Sequence, residues 1–152
     1  LFMRKLYSLL LSMLTVLTAI SQTIGIPETT APDNTAAKAQ AITSPAKVRG
    51  NVYPNADIDY YSFTANAGDK VYAALMTSFS ASDFEAQLRL FASDGTTLIE
   101  FDEDDGTFGS TSSAIAGITI SSAGTYYLEV KNFSTTGQTR GIVYYELCEG
   151  FK

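Results

Sequence analysis

From about residue 48 to its end the chain is built of short runs in which large apolar and polar residues alternate, separated by clusters of Gly, Asn, Asp and Ser. A period of two is the mark of a half-buried strand, and turn clusters at regular short intervals mark a sandwich or barrel. Strands are predicted at residues 48–53, 60–64, 70–77, 86–92, 97–101, 114–120, 125–132 and 141–147. The turns between them are Pro54-Asn55, Ala67-Gly68-Asp69, Ser93-Asp94-Gly95, Asp104-Asp105-Gly106, Ala123-Gly124 and Thr136-Gly137. Asp94-Gly95 between two apolar runs is a hairpin signal. No long helical period and no repeat of fixed length interrupts this pattern. The expected fold is all-β, an antiparallel β-sandwich of the jelly-roll kind with about eight strands.

Alternation also assigns faces, because a one-residue change of parity moves a side chain across the sheet. Tyr61 and Phe63 share the apolar face of their strand, with Tyr60, Ser62 and Thr64 opposite. Val71, Ala73 and Leu75 oppose Tyr72, Ala74 and Met76. Tyr126, Leu128 and Val130 oppose Tyr127 and Glu129, and Val143, Tyr145 and Leu147 oppose Tyr144 and Glu146. The first set of each pair is the expected core, completed by Leu88, Leu90, Leu98, Ile115, Ile118 and Ile120.

The N-terminus has a different texture. Met3 reads as the true start, and Arg4-Lys5 precede an apolar run from Leu6 to Ile20 that Ser8, Ser12, Thr15 and Thr18 dilute. The run is shorter than the ~20 apolar residues of a membrane span. With the small residues Ala19-Ile20-Ser21 behind it, it reads as a signal peptide over residues 1–21, cleaved after Ser21 or at Gly25. Residues 22–47, rich in Thr, Ala and Pro, read as an extended arm, with one short helical turn within residues 36–42. Residues 48–152 are then one sandwich domain. The expected destination is the extracellular space or the periplasm.

Charge and composition narrow the partners. The net charge is −6, and removing Arg4 and Lys5 with the leader makes it −8. Such a surface repels nucleic acid and anionic lipid, so neither is an expected partner and no membrane association is expected after cleavage. Cys148 is the only cysteine, so no internal disulfide forms; it reads either as a small buried residue or as an intermolecular bridge. The chain has no histidine, which excludes a Ser-His-Asp triad, a Cys-His pair and histidine-ligated metal. The acids gather in turns rather than in a cleft that would desolvate them, so no catalytic site is expected.

Three constellations remain. Residues 100–106 form the densest acid cluster; their spacing is not that of an EF-hand loop, and they read first as a solvated turn that protects a sheet edge and second as hard oxygen ligands for Ca²⁺. Asp57 and Asp59 stand two apart at a strand entry, so both carboxylates project to one side; they read either as a pair converging on one cation or as turn and capping residues. Tyr60, Tyr72, Tyr127 and Tyr144 sit at outward positions; on neighbouring strands they would line a stripe for an extended polymer, and otherwise they are cross-strand pairs.

Two elements carry a family resemblance: Asp57-Ile58-Asp59-Tyr60-Tyr61-Ser62-Phe63, and downstream Ala123-Gly124-Thr125-Tyr126-Tyr127. In this order they resemble the bacterial pre-peptidase C-terminal domain, a small secreted β-sandwich appended to extracellular peptidases. The resemblance spans roughly residues 28–147. It implies a module that binds, anchors or assists and does not catalyse. In calcium-binding relatives, notably the collagen-binding domains of clostridial collagenases, an N-terminal arm folds back and shares Ca²⁺ with acids near the first strands. Here the arm segment is Pro32-Asp33-Asn34-Thr35, where relatives often read Pro-Asn-Asp-Thr, and of the acids ahead of the proline only Glu28 lies near, out of step. The resemblance thus implies Asp33, Asn34, Asp57 and Asp59 as Ca²⁺ ligands, and an extracellular polymer or an associated peptidase as partner. A structural surface protein and a carboxylate-based glycosidase are the alternatives. No peptidase precedes the module, so the expectation is a free-standing binding protein or a piece of a longer one.

Overall fold

The computed structural model describes residues 25–28, 33–53, 56–77, 86–103, 112–132 and 143–151; for residue 86 and residues 143–149 it describes the backbone alone. Among the described residues ten strands form two five-stranded sheets. They are β1 (Ile26–Pro27), β2 (Gln40–Ala41), β3 (Ala46–Val52), β4 (Ile58–Ala65), β5 (Lys70–Met76), β6 (Ala86–Phe91), β7 (Leu98–Asp102), β8 (Ser113–Thr119), β9 (Gly124–Asn132) and β10 (Val143–Phe151). The first sheet has the order β1-β3-β10-β5-β8 and the second β2-β4-β9-β6-β7. The all-β antiparallel expectation is met for the eight long strands; the two short strands of the arm add themselves in parallel, β1 to β3 and β2 to β4.

The core lies where alternation puts it. Tyr61, Phe63, Val71, Leu75, Leu88, Leu90, Ile115, Leu128 and Val130 are all buried, drawn from both sheets. β4 against β9 sets the frame, with Phe63 opposite Tyr126 and Tyr61 opposite Leu128. Phe63 also meets the ring of Tyr126 at 6.2 Å and that of Phe151 at 5.6 Å between centroids. The Phe151 contact explains why β10 runs four residues past its predicted end: Phe151 pairs with Val71 and its ring is needed on the core. The side chains of Val143, Tyr145, Leu147 and Cys148 lie outside the described residues.

One core expectation is overturned. Leu98 is 38% exposed. The pairing of β6 with β7 shifts between Leu90 and Phe91, so that Glu100 faces Leu90 while Leu98 faces Phe91, with Ile99 as the extra residue. An added residue reverses parity, and Leu98 is turned outward. Together with Ile99 and Phe101 it makes β7 an apolar edge strand.

The arm is an integral part of the sandwich edge. Its β1 lies on the first sheet, and a 3-10 turn at Ala36–Lys38 leads into β2 on the second sheet. The expected helical turn is there, and Ile42 behind it is buried in the core. The turn packs on the β6–β7 hairpin: a Cβ added to Gly95, whose φ is +69°, would stand 2.7 Å from Cβ of Ala36. Glycine is required at this corner for both reasons, conformation and space. Asp94 closes the same hairpin by accepting the N–H of Thr96 at 2.9 Å and of Thr97 at 2.8 Å.

Candidate metal centre

Three carboxylates meet beside the ends of β1, β3 and β4, with a fourth, Asp33, near enough for its charge to act on them. Parallel pairing of β1 with β3 carries Glu28 to Asn51: its backbone N–H donates to Arg49 at 2.9 Å, and its Oε2 accepts from Asn51 N–H at 2.7 Å and from Asn51 Nδ2 at 3.3 Å. Asp33, just before the 3-10 turn, is only 4% exposed, and its backbone carbonyl accepts from Thr35 N–H at 2.8 Å. Asp57 enters β4 and accepts from Tyr53 N–H at 3.2 Å and from Asn34 Nδ2 at 3.3 Å. Asp59 stands on the core-facing parity of β4, with Tyr61 and Phe63, and is fully buried.

One carboxylate oxygen from each of Glu28, Asp57 and Asp59 lies within 4.8 Å of the others. Burial, and then the charges of Asp33 and Asp57, push the Glu28 carboxyl above its usual range, while the Asn51 N–H and a hydrogen bond with Asp59 pull it partly back. Asp33 is likewise raised, first by burial and then by the charge of Asp57. Its Oδ2 is buried with no hydrogen-bond partner among the described residues. Like charges this close, with an orphaned acceptor among them, are costly unless a cation joins them. An all-carboxylate donor set is hard and anionic, which suits Ca²⁺ and its ~6–8 oxygen ligands, with water filling the remainder. Soft metals that prefer sulfur or imidazole have nothing to bind here.

Of the four residues expected to ligate, the structure brings Asp57 and Asp59 together with Glu28, and Asp33 stands near enough for charge to act between it and Glu28 and Asp57. Asn34 is exposed and donates its Nδ2 to Asp57, which leaves its Oδ1 to face solvent or an ion. Glu28 was not among the expected ligands. Counted along the arm it falls out of step; the parallel register of β1 on β3 is what delivers it, and a two-residue strand leaves no alternation to read.

The tyrosines do not form one stripe. Tyr60 and Tyr127 belong to the second sheet and Tyr72 to the first, as does the strand of Tyr144, whose side chain lies outside the described residues. Outer faces of a sandwich point in opposite directions, so no single polymer spans all four. Tyr72 is 40% exposed and lies over Gly117, covering the gap that a residue without a side chain leaves in β8. Tyr127 is half-buried beside Gly95, and the Tyr60 hydroxyl donates to Glu129.

Residues 57–132 match the family model of the bacterial pre-peptidase C-terminal domain. Among solved structures, the pre-peptidase C-terminal domain of collagenase from Bacillus anthracis superposes with a TM-score of 0.56 at 18% identity, over 73% of this chain and 93% of that one. PliG of Aeromonas hydrophila, a periplasmic inhibitor of g-type lysozyme, superposes at 0.51 with 17% identity, over 75% of this chain and 99% of that one. At such identities the likeness is one of fold. No curated protein matches the sequence. Among the described residues no helix is long and apolar enough to cross a membrane.

Proposed function

We propose that this chain, which belongs to the bacterial pre-peptidase C-terminal domain family, is an exported accessory module that attaches to an extracellular polymer or a partner peptidase and is held together by Ca²⁺. The family's domains are non-catalytic and associated with peptidases. A chain without histidine agrees with that role. The observation that carries the calcium reading is the convergence of Glu28, Asp57 and Asp59 beside the buried, unpartnered Oδ2 of Asp33.

The ion would work as a clasp. Glu28 and Asp33 come from the arm, Asp57 and Asp59 from the entry to β4, so a shared cation ties the arm across both sheets. Extracellular modules bind Ca²⁺ with dissociation constants of about 10⁻⁴–10⁻³ M, which an exported protein meets outside the cell and not in the cytosol. The module would thus tighten after export. Melting curves in Ca²⁺ and in EGTA test this. Binding at a hundredfold excess over Kd stabilises by about 2.7 kcal/mol, or roughly 5–15 °C for a domain of this size. Asp57→Ala and Asp59→Ala should abolish the difference, and Glu100→Gln should keep it. Identical curves in Ca²⁺ and EGTA would eliminate the clasp.

A further inference from the structure

Open sheet edges are where a sandwich can join another chain, because their outward N–H and C=O groups face no partner strand. At the end opposite the arm's strands, the first sheet closes on β8 and the second on β7. β8 is blunted. Its Ala114 N–H donates to Asp102 Oδ2 at 2.5 Å, Gly117 is an extra residue in its pairing with β5, and the Tyr72 ring lies over that gap. β7 is different. Of the five large hydrophobic side chains exposed among the described residues, three, Leu98, Ile99 and Phe101, stand on this one five-residue strand. Apolar side chains gathered in this way on an edge mark a contact surface.

β7 also has backbone to offer. In an antiparallel pair alternate residues turn both backbone groups away from the neighbouring strand. Phe101 is one of these: its N–H donates to Oε1 of the adjacent Glu100 at 3.0 Å, an exposed contact. That carboxylate is a replaceable cap, free to turn aside for an incoming carbonyl. Register sorts the side chains of the edge by face. Leu98 and Phe101 lie opposite Phe91 and Arg89 on the outward side, while Glu100 and Asp102 lie opposite the core residues Leu90 and Leu88. One side of the edge is therefore apolar and the other acidic.

Charge says which chain fits. Glu100, Asp102 and Glu103 accept from Phe101 N–H, Ala114 N–H and Gln87 Nε2, all uncharged donors, so none of the three is neutralised. Arg89 and Lys131, on the adjoining β6 and β9, share Glu129. The rim thus holds four carboxylates against two cations, on a chain of net charge −6.

We propose that β7 is a docking edge, and that its occupant is an extended segment of a partner protein in which basic and apolar residues alternate. The inference rests on the accessory-binding reading above and gives its partner a mode of attachment. The segment adds a further strand to the second sheet. Its backbone pairs with the open side of β7, one row of its side chains covers Leu98 and Phe101, and the other sets Lys or Arg beside Glu100 and Asp102. A second copy of this chain is the poorer occupant, because β7 against itself brings acid beside acid.

Fluorescence anisotropy of labelled peptides with the whole chain in Ca²⁺ tests the proposal. A short end-blocked peptide alternating Lys and Val should bind. Its isomer with the lysines gathered at one end, its fully N-methylated form and an alternating Glu-Val peptide should each bind at least ~tenfold more weakly. In ¹⁵N spectra the Phe101 amide should shift on binding and exchange more slowly with solvent. Ile99→Lys places a like charge on the edge, and Phe101→Pro removes the edge N–H where an edge strand tolerates its loss; each should weaken binding roughly tenfold. Both residues are exposed, so melting temperatures should hold, and Ile99→Lys decides if Phe101→Pro does not fold. Equal binding of the gathered or N-methylated peptide, or variants that bind like the parent, would mean charge attraction without strand addition and overturns the proposal. If no peptide binds while gelatin or cellulose retains parent and Ile99→Lys alike, the docking edge is refuted and the accessory-binding reading stands. If peptide, gelatin and cellulose all fail to bind, attachment is lost from that reading as well.

Discussion

Replacing Asp33 by Asn should make the protein more stable in EGTA and less stable in Ca²⁺. The reason lies in one atom: Oδ2 of Asp33 is buried, has no hydrogen-bond partner among the described residues and shares its surroundings with Asp57 and Glu28. A buried polar group left unpaired costs about 1–3 kcal/mol, more when charged. Asn keeps the shape, removes the charge and turns an acceptor into a donor facing carboxylates. A gain of about 1–2 kcal/mol without Ca²⁺ follows, or roughly 3–8 °C in melting temperature. With Ca²⁺ a ligand charge has been removed, so most of the ~2.7 kcal/mol of binding stabilisation at a hundredfold excess should vanish. The two proteins should therefore exchange order between the two buffers.

The pH dependence of that difference has a fixed sign. Burial and neighbouring charge raise the carboxyls of Glu28 and Asp33 above their ordinary values of 4.5 and 3.8. The folded chain without metal thus holds these protons more tightly than the unfolded chain. Their stabilising effect is complete below the ordinary values and is lost as pH rises through the raised ones. The advantage of Asp33→Asn in EGTA should be largest near neutrality and shrink in mild acid, where Asp33 is protonated in the parent. Differential scanning fluorimetry across pH, in both buffers, reads all of this. A variant that is less stable than the parent in EGTA at neutral pH, yet keeps its full Ca²⁺ shift, would refute the argument.

Two further outcomes check the corner that holds the arm. Gly95→Ala, at φ +69° and 2.7 Å from Ala36, should cost about 1–3 kcal/mol and also weaken Ca²⁺ affinity, because it pushes the arm's turn away from the hairpin; unchanged melting and titration would show the corner to be slack. Asp94, fully exposed, has its carboxyl lowered to about 2 by Thr97 and Thr96, so carbon-detected NMR should find it ionised well below its usual range, and the hairpin should loosen only as pH falls from about 4 towards 2; a midpoint near 4 would mean those hydrogen bonds do not persist in solution.

Much of this was legible in the residues. Tyr61-Phe63, Val71-Ala73-Leu75 and Leu128-Val130 announce a two-sided sheet by parity alone, and the buried set matches them. The same parity carried back two residues puts Asp59 on the core face, an early sign that a carboxylate is buried there. Leu98 escaped because a bulge is a pairing event between two strands, with no local mark in either. Glu28 escaped because β1 is two residues long, too short for a period. The tyrosines escaped because parity gives a face but not a neighbour: only the strand order shows that Tyr60 and Tyr72 look out from opposite sides. Glu129 reads as a solvated outward residue until register sets Tyr60 and Arg89 on either side of it.

Calorimetric titration of the metal-stripped protein with CaCl₂ tests the central claim most directly. A saturable isotherm for one ion per chain is expected, with Kd of about 10⁻⁴–10⁻³ M, proton release on binding in mildly acidic buffer, and loss of the heat in Glu28→Gln and Asp59→Asn. A flat titration, or an isotherm that survives both substitutions, would contradict a calcium clasp between the arm and the sandwich.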